Sequence, residues 1–133
     1  MQVLVASGDP EDSVMGVLAA LYGAASIHVV DTIQQALARL GAAKFDLVLL
    51  DARLPGMAES AALRQIFERW PLLPVAVIGP APDRTNIIAA VRNGARGYIP
   101  TAAEADVVRE ALRAIWAGEL YIPVAALRRP DGR

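Results

Sequence analysis

A chain of 133 residues with 14 acidic and 13 basic side chains and a net charge of -1 is one domain's worth of polypeptide. It carries no basic field of the kind that gathers nucleic acid or anionic membrane. It has no cysteine, which excludes a disulfide framework and a thiolate zinc site and makes a reducing compartment, the cytoplasm, the expected location.

With 55% hydrophobic but only 5% aromatic residues, the interior is expected to be aliphatic, built of Ala, Val, Leu and Ile. The longest uncharged run, Val14 to Val30, is broken by Gly16, Gly23, Ser26 and His28. A membrane span wants roughly 20 uniformly apolar residues, so no span and no signal peptide is expected.

Five short apolar runs recur in chain order: VLVA (3–6), IHVV (27–30), LVLL (47–50), VAVI (75–78) and GYIP (97–100). The segments between them have helical spacing. Asp9 is placed as an N-cap, with Pro10 at the first helical position and Asp12 two further on, for a helix over about 10–23 with Val14, Leu18 and Leu21 on one face. Asp31 or Thr32 caps a second helix that carries Ile33, Leu37 and Leu40 and stops at Gly41. A third runs from about Ala58 to Arg69 with Leu63, Ile66 and Phe67 inward, and a fourth starts after Asp83, aligns Ile87, Ile88 and Val91, and ends at Asn93-Gly94. A fifth, over about 102–117, uses Val108, Leu112 and Ile115, with TAAE (101–104) read as a capping box and Gly118 closing it.

Strands that alternate with helices of this length make a parallel sheet with helices on both faces. Five βα repeats predict an α/β, flavodoxin-like, doubly wound five-stranded parallel sheet of order 2-1-3-4-5 with five helices. In such a sheet chemistry sits outside the C-terminal strand ends, where strand order reverses. That point lies between the first and third strands, so Ser7, Gly8 and Asp51 are expected at one cleft. Residues 1–118 are read as the domain, and 119–133 as a linker or tail without periodicity.

The segments DLVLLDARLPGM (46–57) and GARGYIP (94–100), the latter followed by ELYIP (119–123), resemble the CheY-like receiver domains of bacterial response regulators, most closely the NarL/FixJ branch of LuxR-type transcription factors. The resemblance covers about residues 2–123. It implies a phosphoacceptor at the position of Asp51, supplied by a histidine kinase, and a divalent metal on two acidic residues after strand 1 and on the backbone carbonyl matching Arg53. It further implies a hydroxyl after strand 4, a lysine after strand 5 and a reporting aromatic on strand 5. Phosphoryl transfer needs this surplus of positive charge because the transferred group carries spread negative charge, and magnesium takes hard oxygen ligands.

This chain departs from that set. The acidic pair is Ser7 and Gly8, the hydroxyl is Gly79 and the lysine is Thr101, while Asp51 and the aromatic Tyr98 remain. Metal is expected to bind weakly or not at all, and no cofactor is expected. Asp51 is then a remnant carboxylate on a solvated strand end. Asp9 or Glu11 in an unusual metal site is the alternative that keeps phosphotransfer alive, and a small ligand in the space left by Ser7, Gly8 and Gly79 is another. Arg53 or Arg84 could fold over Asp51 and replace the lysine, although surface arginines commonly do no more than solvate. His28, alone in an apolar strand, is not expected to bind metal or catalyse.

Tyr98 is expected as packing, since its partner hydroxyl is replaced by Gly79. In GPAPDR (79–84), Pro80 and Pro82 fix φ at two positions, so the loop is expected to rest in one conformation. The expected function is an atypical receiver that is not an enzyme. It would act as an interaction and dimerisation module in signal transduction or transcription control, with a homodimer through helix 4, strand 5 and helix 5. Trp116 is either an interface anchor there or packed under Leu120 to Ile122. A DNA-binding domain would follow residues 118–133, and no nucleic acid or membrane contact is expected from the segment itself.

Overall fold

The structure, a computed structural model, describes residues 1–8, 13–55, 57, 61–80 and 83–123. Strands β1 (Val3–Ala6), β2 (Ile27–Val30), β3 (Leu47–Asp51), β4 (Val75–Gly79) and β5 (Gly97–Pro100) alternate with helices α1 (Ser13–Tyr22), α2 (Ile33–Ala42), α3 (Ala61–Arg69), α4 (Arg84–Arg92) and α5 (Ala105–Trp116). All strand pairs are parallel, and the order is β2-β1-β3-β4-β5, as the alternation of patterns requires. The expected caps at Asp9, Pro10 and Asp12, the first turn expected for helix 3, Pro82 and the tail beyond Pro123 lie outside the described residues.

Because strand side chains alternate between faces, the sheet separates two cores. Leu4, Val48, Leu50 and Val77 pack with Leu40 of α2, Ile66 of α3 and Ile87 of α4. On the other face, Val3, Val5, Leu47, Leu49 and Ile78 pack with Leu18 of α1 and with Val108, Leu112 and Ile115 of α5. The central strands β1, β3 and β4 are buried throughout, which is why they read as continuous apolar runs rather than alternating ones.

The caps follow from side-chain chemistry. Thr32, not Asp31, caps α2: its hydroxyl accepts from the Gln35 N–H at 3.1 Å, and the Gln35 amide oxygen accepts from the Asp31 N–H at 3.0 Å. Asp83 caps α4 by accepting from the Asn86 N–H at 2.8 Å. At the end of α5, Gly118 takes a φ of 87°, its N–H donates to the Ile115 carbonyl and that of Glu119 to the Ala114 carbonyl. This pairing satisfies the last carbonyls and needs a left-handed residue.

Four details differ from the sequence expectation. α2 runs through Gly41 and ends where Ala43 turns extended at φ -150°, a conformation that needs no glycine. Residues 101–104 are a turn, not a capping box: the Thr101 N–H is drawn to the Gly79 carbonyl at 2.7 Å, extending the β4–β5 ladder, and α5 starts only at Ala105 with no side-chain cap from Glu104. Phe67 is not inward but 47% exposed. Its ring covers Gly94, where φ is 107° and a Cβ would lie 2.7 Å from the ring.

The fourth concerns the segment after α5. Tyr121 forms a parallel bridge with Gly97: its N–H donates to the Arg96 carbonyl at 3.0 Å, and its carbonyl accepts from the Tyr98 N–H at 3.2 Å. Ile122 packs against one core and Tyr121 against the other. The chain beyond α5 therefore covers the β5 edge, which otherwise would present unpaired backbone groups.

Candidate functional site

Register brings the site together. Ala6 pairs with Leu50 and Asp51 with Ile78, so the residues that follow β1 and β3 stand side by side at the C-terminal edge of the sheet. Ser7 continues β1 by donating its N–H to the Val30 carbonyl at 2.9 Å, and its side-chain hydroxyl donates to Asp51 Oδ2 at 2.9 Å.

Asp51 is not solvated, as the sequence suggested, but 1% exposed, and both carboxylate oxygens are engaged. The chain turns sharply after β3, with the Leu54 N–H on the Asp51 carbonyl at 3.1 Å. The same turn points the Arg53 N–H at Asp51 Oδ1 at 2.9 Å, the local side-chain-to-backbone bond that aspartate favours in turns. The Arg53 guanidinium then closes over the carboxylate, Nε to Oδ1 at 2.9 Å and Nη2 to Oδ2 at 2.7 Å. This two-pronged geometry is the strong form of an arginine–carboxylate contact. The guanidinium side chain is 43% exposed and forms the lid.

Burial alone raises the Asp51 pKa, but the hydrogen bonds from the Arg53 side chain and backbone, the Ser7 hydroxyl and the Arg53 charge outweigh it and hold the carboxyl below the usual range. The group is a carboxylate at neutral pH, neutralised from within the chain.

The described residues do not fit a divalent cation here. Magnesium seeks carboxylate and carbonyl oxygens, whereas Ser7 spends its hydroxyl as a donor, Gly8 has no side chain, and both oxygens of Asp51 already accept hydrogen bonds from Arg53. No cluster of three His, Cys, Asp or Glu side chains among the described residues could hold a metal. Asp9 and Glu11, the alternative ligands, lie outside the described residues.

Gly79 and Tyr98 meet one strand further on. The phenol oxygen of Tyr98 stands 2.6 Å from where a Gly79 Cβ would be, and the Ala52 Cβ stands 3.1 Å from the same point. A side chain at 79 therefore requires the Tyr98 ring to shift from this position. Burial, then the charges of Asp51 and Asp83, raise the Tyr98 pKa. Thr101 is tied to Gly79 through its backbone.

The remaining expected residues stand apart. Arg84 is exposed on α4 and makes no ion pair among the described residues. His28 lies with Nε2 2.6 Å from Gln2 Oε1 and edge-on to Phe45. Trp116 is 47% exposed. The sequence offered the closure of Arg53 over Asp51 as one possibility and favoured an arginine that only solvates; the structure has the closure. No helix among the described residues is long and apolar enough to cross a membrane.

Known proteins share this framework. A LuxR family DNA-binding response regulator from Silicibacter pomeroyi superposes with a TM-score of 0.74 at 27% identity, over 96% of this chain and 100% of that one. The isolated receiver of RcsB from Salmonella enterica serovar Typhimurium, solved in the presence of phosphomimetic BeF3-, gives a TM-score of 0.78 at 15% identity, over 95% of both chains. Among curated proteins, the glycerol metabolism activator of Pseudomonas putida is 29% identical over 83 residues, 62% of this chain and 38% of its own length. The DNA-binding transcriptional regulator NtrC of Salmonella typhimurium is 36% identical over 72 residues, 54% of this chain and 15% of its own length. The chain thus spans well under half the length of these two relatives. The family model described as the response regulator receiver domain matches residues 10–113, and with this sheet order and these neighbours the chain belongs to the response regulator receiver family.

Proposed function

We propose that this receiver works without metal-assisted phosphorylation of Asp51, as a regulatory interaction and dimerisation module in signal transduction or transcription control. The observation that carries the reading is the closure of Arg53 and Ser7 on both oxygens of Asp51. Any attack by Asp51 on a phosphoryl donor has first to break a two-pronged ion pair, and no carboxylate pair at Ser7 and Gly8 stands ready to hold the cation that offsets the incoming charge. The chain is no enzyme in this reading. Residues 1–118, with the segment to Pro123 docked on β5, are its regulatory unit, and the tail within 119–133 leads toward a DNA-binding domain like the one for which the LuxR family DNA-binding response regulator is named.

The proposed partner face is the surface of α4, β5 and α5, used for a homodimer, where Trp116, Ile88 and Val107 remain exposed. Trp116 is a suitable anchor because a large ring buries much apolar area at little entropy cost. A histidine kinase is a further candidate partner. The cytoplasm is the proposed location, without nucleic acid or membrane contact by this segment.

Incubation with acetyl phosphate and magnesium, or with beryllofluoride, tests the reading by intact mass and by amide shifts at Asp51. The expected result is no phosphoryl adduct and no magnesium-dependent shift in the native chain. A stoichiometric adduct at Asp51 that hydroxylamine removes overturns it. The triple variant Ser7→Asp, Gly8→Asp and Arg53→Ala is expected to gain magnesium binding, because it removes the internal counter-charge and restores the carboxylates.

A further inference from the structure

Tyr98 carries a hydroxyl that the Asp51 cluster does not use. The residue is 4% exposed, yet its phenol has no hydrogen-bond partner among the described residues. Buried polar atoms are nearly always bonded, and an exception marks a water, an ion or a ligand.

Beside it lies a cavity of about 290 Å³ between α4 and the C-terminal ends of β3, β4 and β5. Ala52, Val77, Ala89, Ala90, Asn86 and Tyr98 are among its lining residues. The small side chains at 52, 89 and 90 make the room, and Gly79 lets the phenol oxygen stand next to Ala52 at the rim. A water molecule takes about 30 Å³ of liquid and needs two to four polar partners, so this space holds about ten waters but offers side-chain partners for few of them. An organic molecule suits it better. The apolar walls disfavour any bare charge.

The geometry points to a binding site for a compact, neutral organic molecule that presents a carbonyl oxygen to the Tyr98 hydroxyl and lays its apolar body on Ala52, Val77, Ala89 and Ala90. The Asn86 amide is placed to pair with a second polar atom. The inference goes beyond the module reading and stands independently of whether Asp51 accepts a phosphoryl group. A molecule held there would tie α4, half of the proposed partner face, to the sheet beneath it, so occupancy and partner binding would be linked.

The test is titration of the full, isotope-labelled chain with benzamide and with acetophenone, each a neutral carbonyl compound of suitable size, and with benzoate as the charged control. Saturable amide shifts confined to residues 52, 77, 86, 89, 90 and 98 are expected for at least one neutral probe, with weaker binding of benzoate. Tyr98→Phe is expected to weaken the neutral probe by about five- to tenfold, the effect of one lost hydrogen bond. Ala89→Leu, which fills the cavity from a half-buried position, is expected to abolish binding while the rest of the spectrum stays native. Shifts that scatter over the surface, binding that both variants retain, or no confined shift with either neutral probe overturns the inference.

Discussion

The Arg53 guanidinium lies two-pronged against the Asp51 carboxylate, with Nε 2.9 Å from Oδ1 and Nη2 2.7 Å from Oδ2. Since the pair holds the Asp51 pKa below the usual range, it ties stability to pH. A carboxyl with a depressed folded pKa stabilises fully above its unfolded value of about 3.9 and loses that contribution as pH falls through the folded value. Carboxyl carbon NMR is expected to show Asp51 titrating below that value in the native chain and moving upward in Arg53→Gln. An unchanged midpoint in the variant would mean that Arg53 is not the source of the shift.

Arg53→Ala leaves a buried carboxylate held by Ser7 and one backbone N–H. Removing a partner from a fully buried pair costs several kcal/mol, but the half-exposed guanidinium is partly screened, so we expect a loss of about 1–3 kcal/mol. Arg53→Ala combined with Asp51→Asn should recover part of it, because a neutral amide is cheaper to bury unpaired. Urea unfolding of the two single variants and the double variant measures the coupling. Additive losses would mean that the pair is not energetically coupled in the fold.

The sheet was legible because its central strands are buried on both faces and therefore read as runs such as VLVA, LVLL and VAVI, each placed to within a residue. Asp51 and Ser7 were legible as neighbours because topology alone brings their strand ends together. The role of Arg53 was legible only as one of two readings, since an arginine at a turn looks the same in sequence whether it reaches water or folds back, and the deciding bond is its backbone N–H on the Asp51 carboxylate. Thr101 misled for a similar reason: its hydroxyl matched a capping pattern, but its backbone was already claimed by Gly79. The docking of Tyr121 carried no periodic signal because it rests on a single bridge.

Gly79→Thr puts a branched side chain where the Tyr98 phenol stands, 2.6 Å from the new Cβ. The ring is expected to swing outward, so the phenol pKa, raised by burial and nearby carboxylates, should fall back toward its ordinary value. Ring-carbon NMR of Tyr98 against pH reads this directly, and the overpacking should cost about 1–3 kcal/mol. If the Tyr98 titration is unmoved, Gly79 does not set the ring's position.

The segment after β4 is held at both ends, by the Gly79 carbonyl on the Thr101 N–H and by the Asp83 cap of α4, and Pro80 fixes one φ between them. Relaxation dispersion at residues 79 and 83–85 is expected to be flat in the native chain. Millisecond exchange there would show a second populated loop conformation.

Gly97 stands where the returning chain passes closest: a Cβ would lie 2.8 Å from the Tyr121 carbonyl oxygen and 3.0 Å from Ile115 Cδ1. The oxygen belongs to backbone and cannot swing aside as a side-chain end would, so Gly97→Ala should push residues 119–123 off the β5 edge. Two backbone bonds go with them, the Tyr98 N–H to the Tyr121 carbonyl and the Tyr121 N–H to the Arg96 carbonyl, a loss of about 1–3 kcal/mol. Hydrogen exchange at the Tyr98 and Tyr121 amides should rise together, while amides that bond β4 to β5 stay protected. Protection lost throughout β5 would instead mean that the segment is part of the sheet's global stability and not a separable strap.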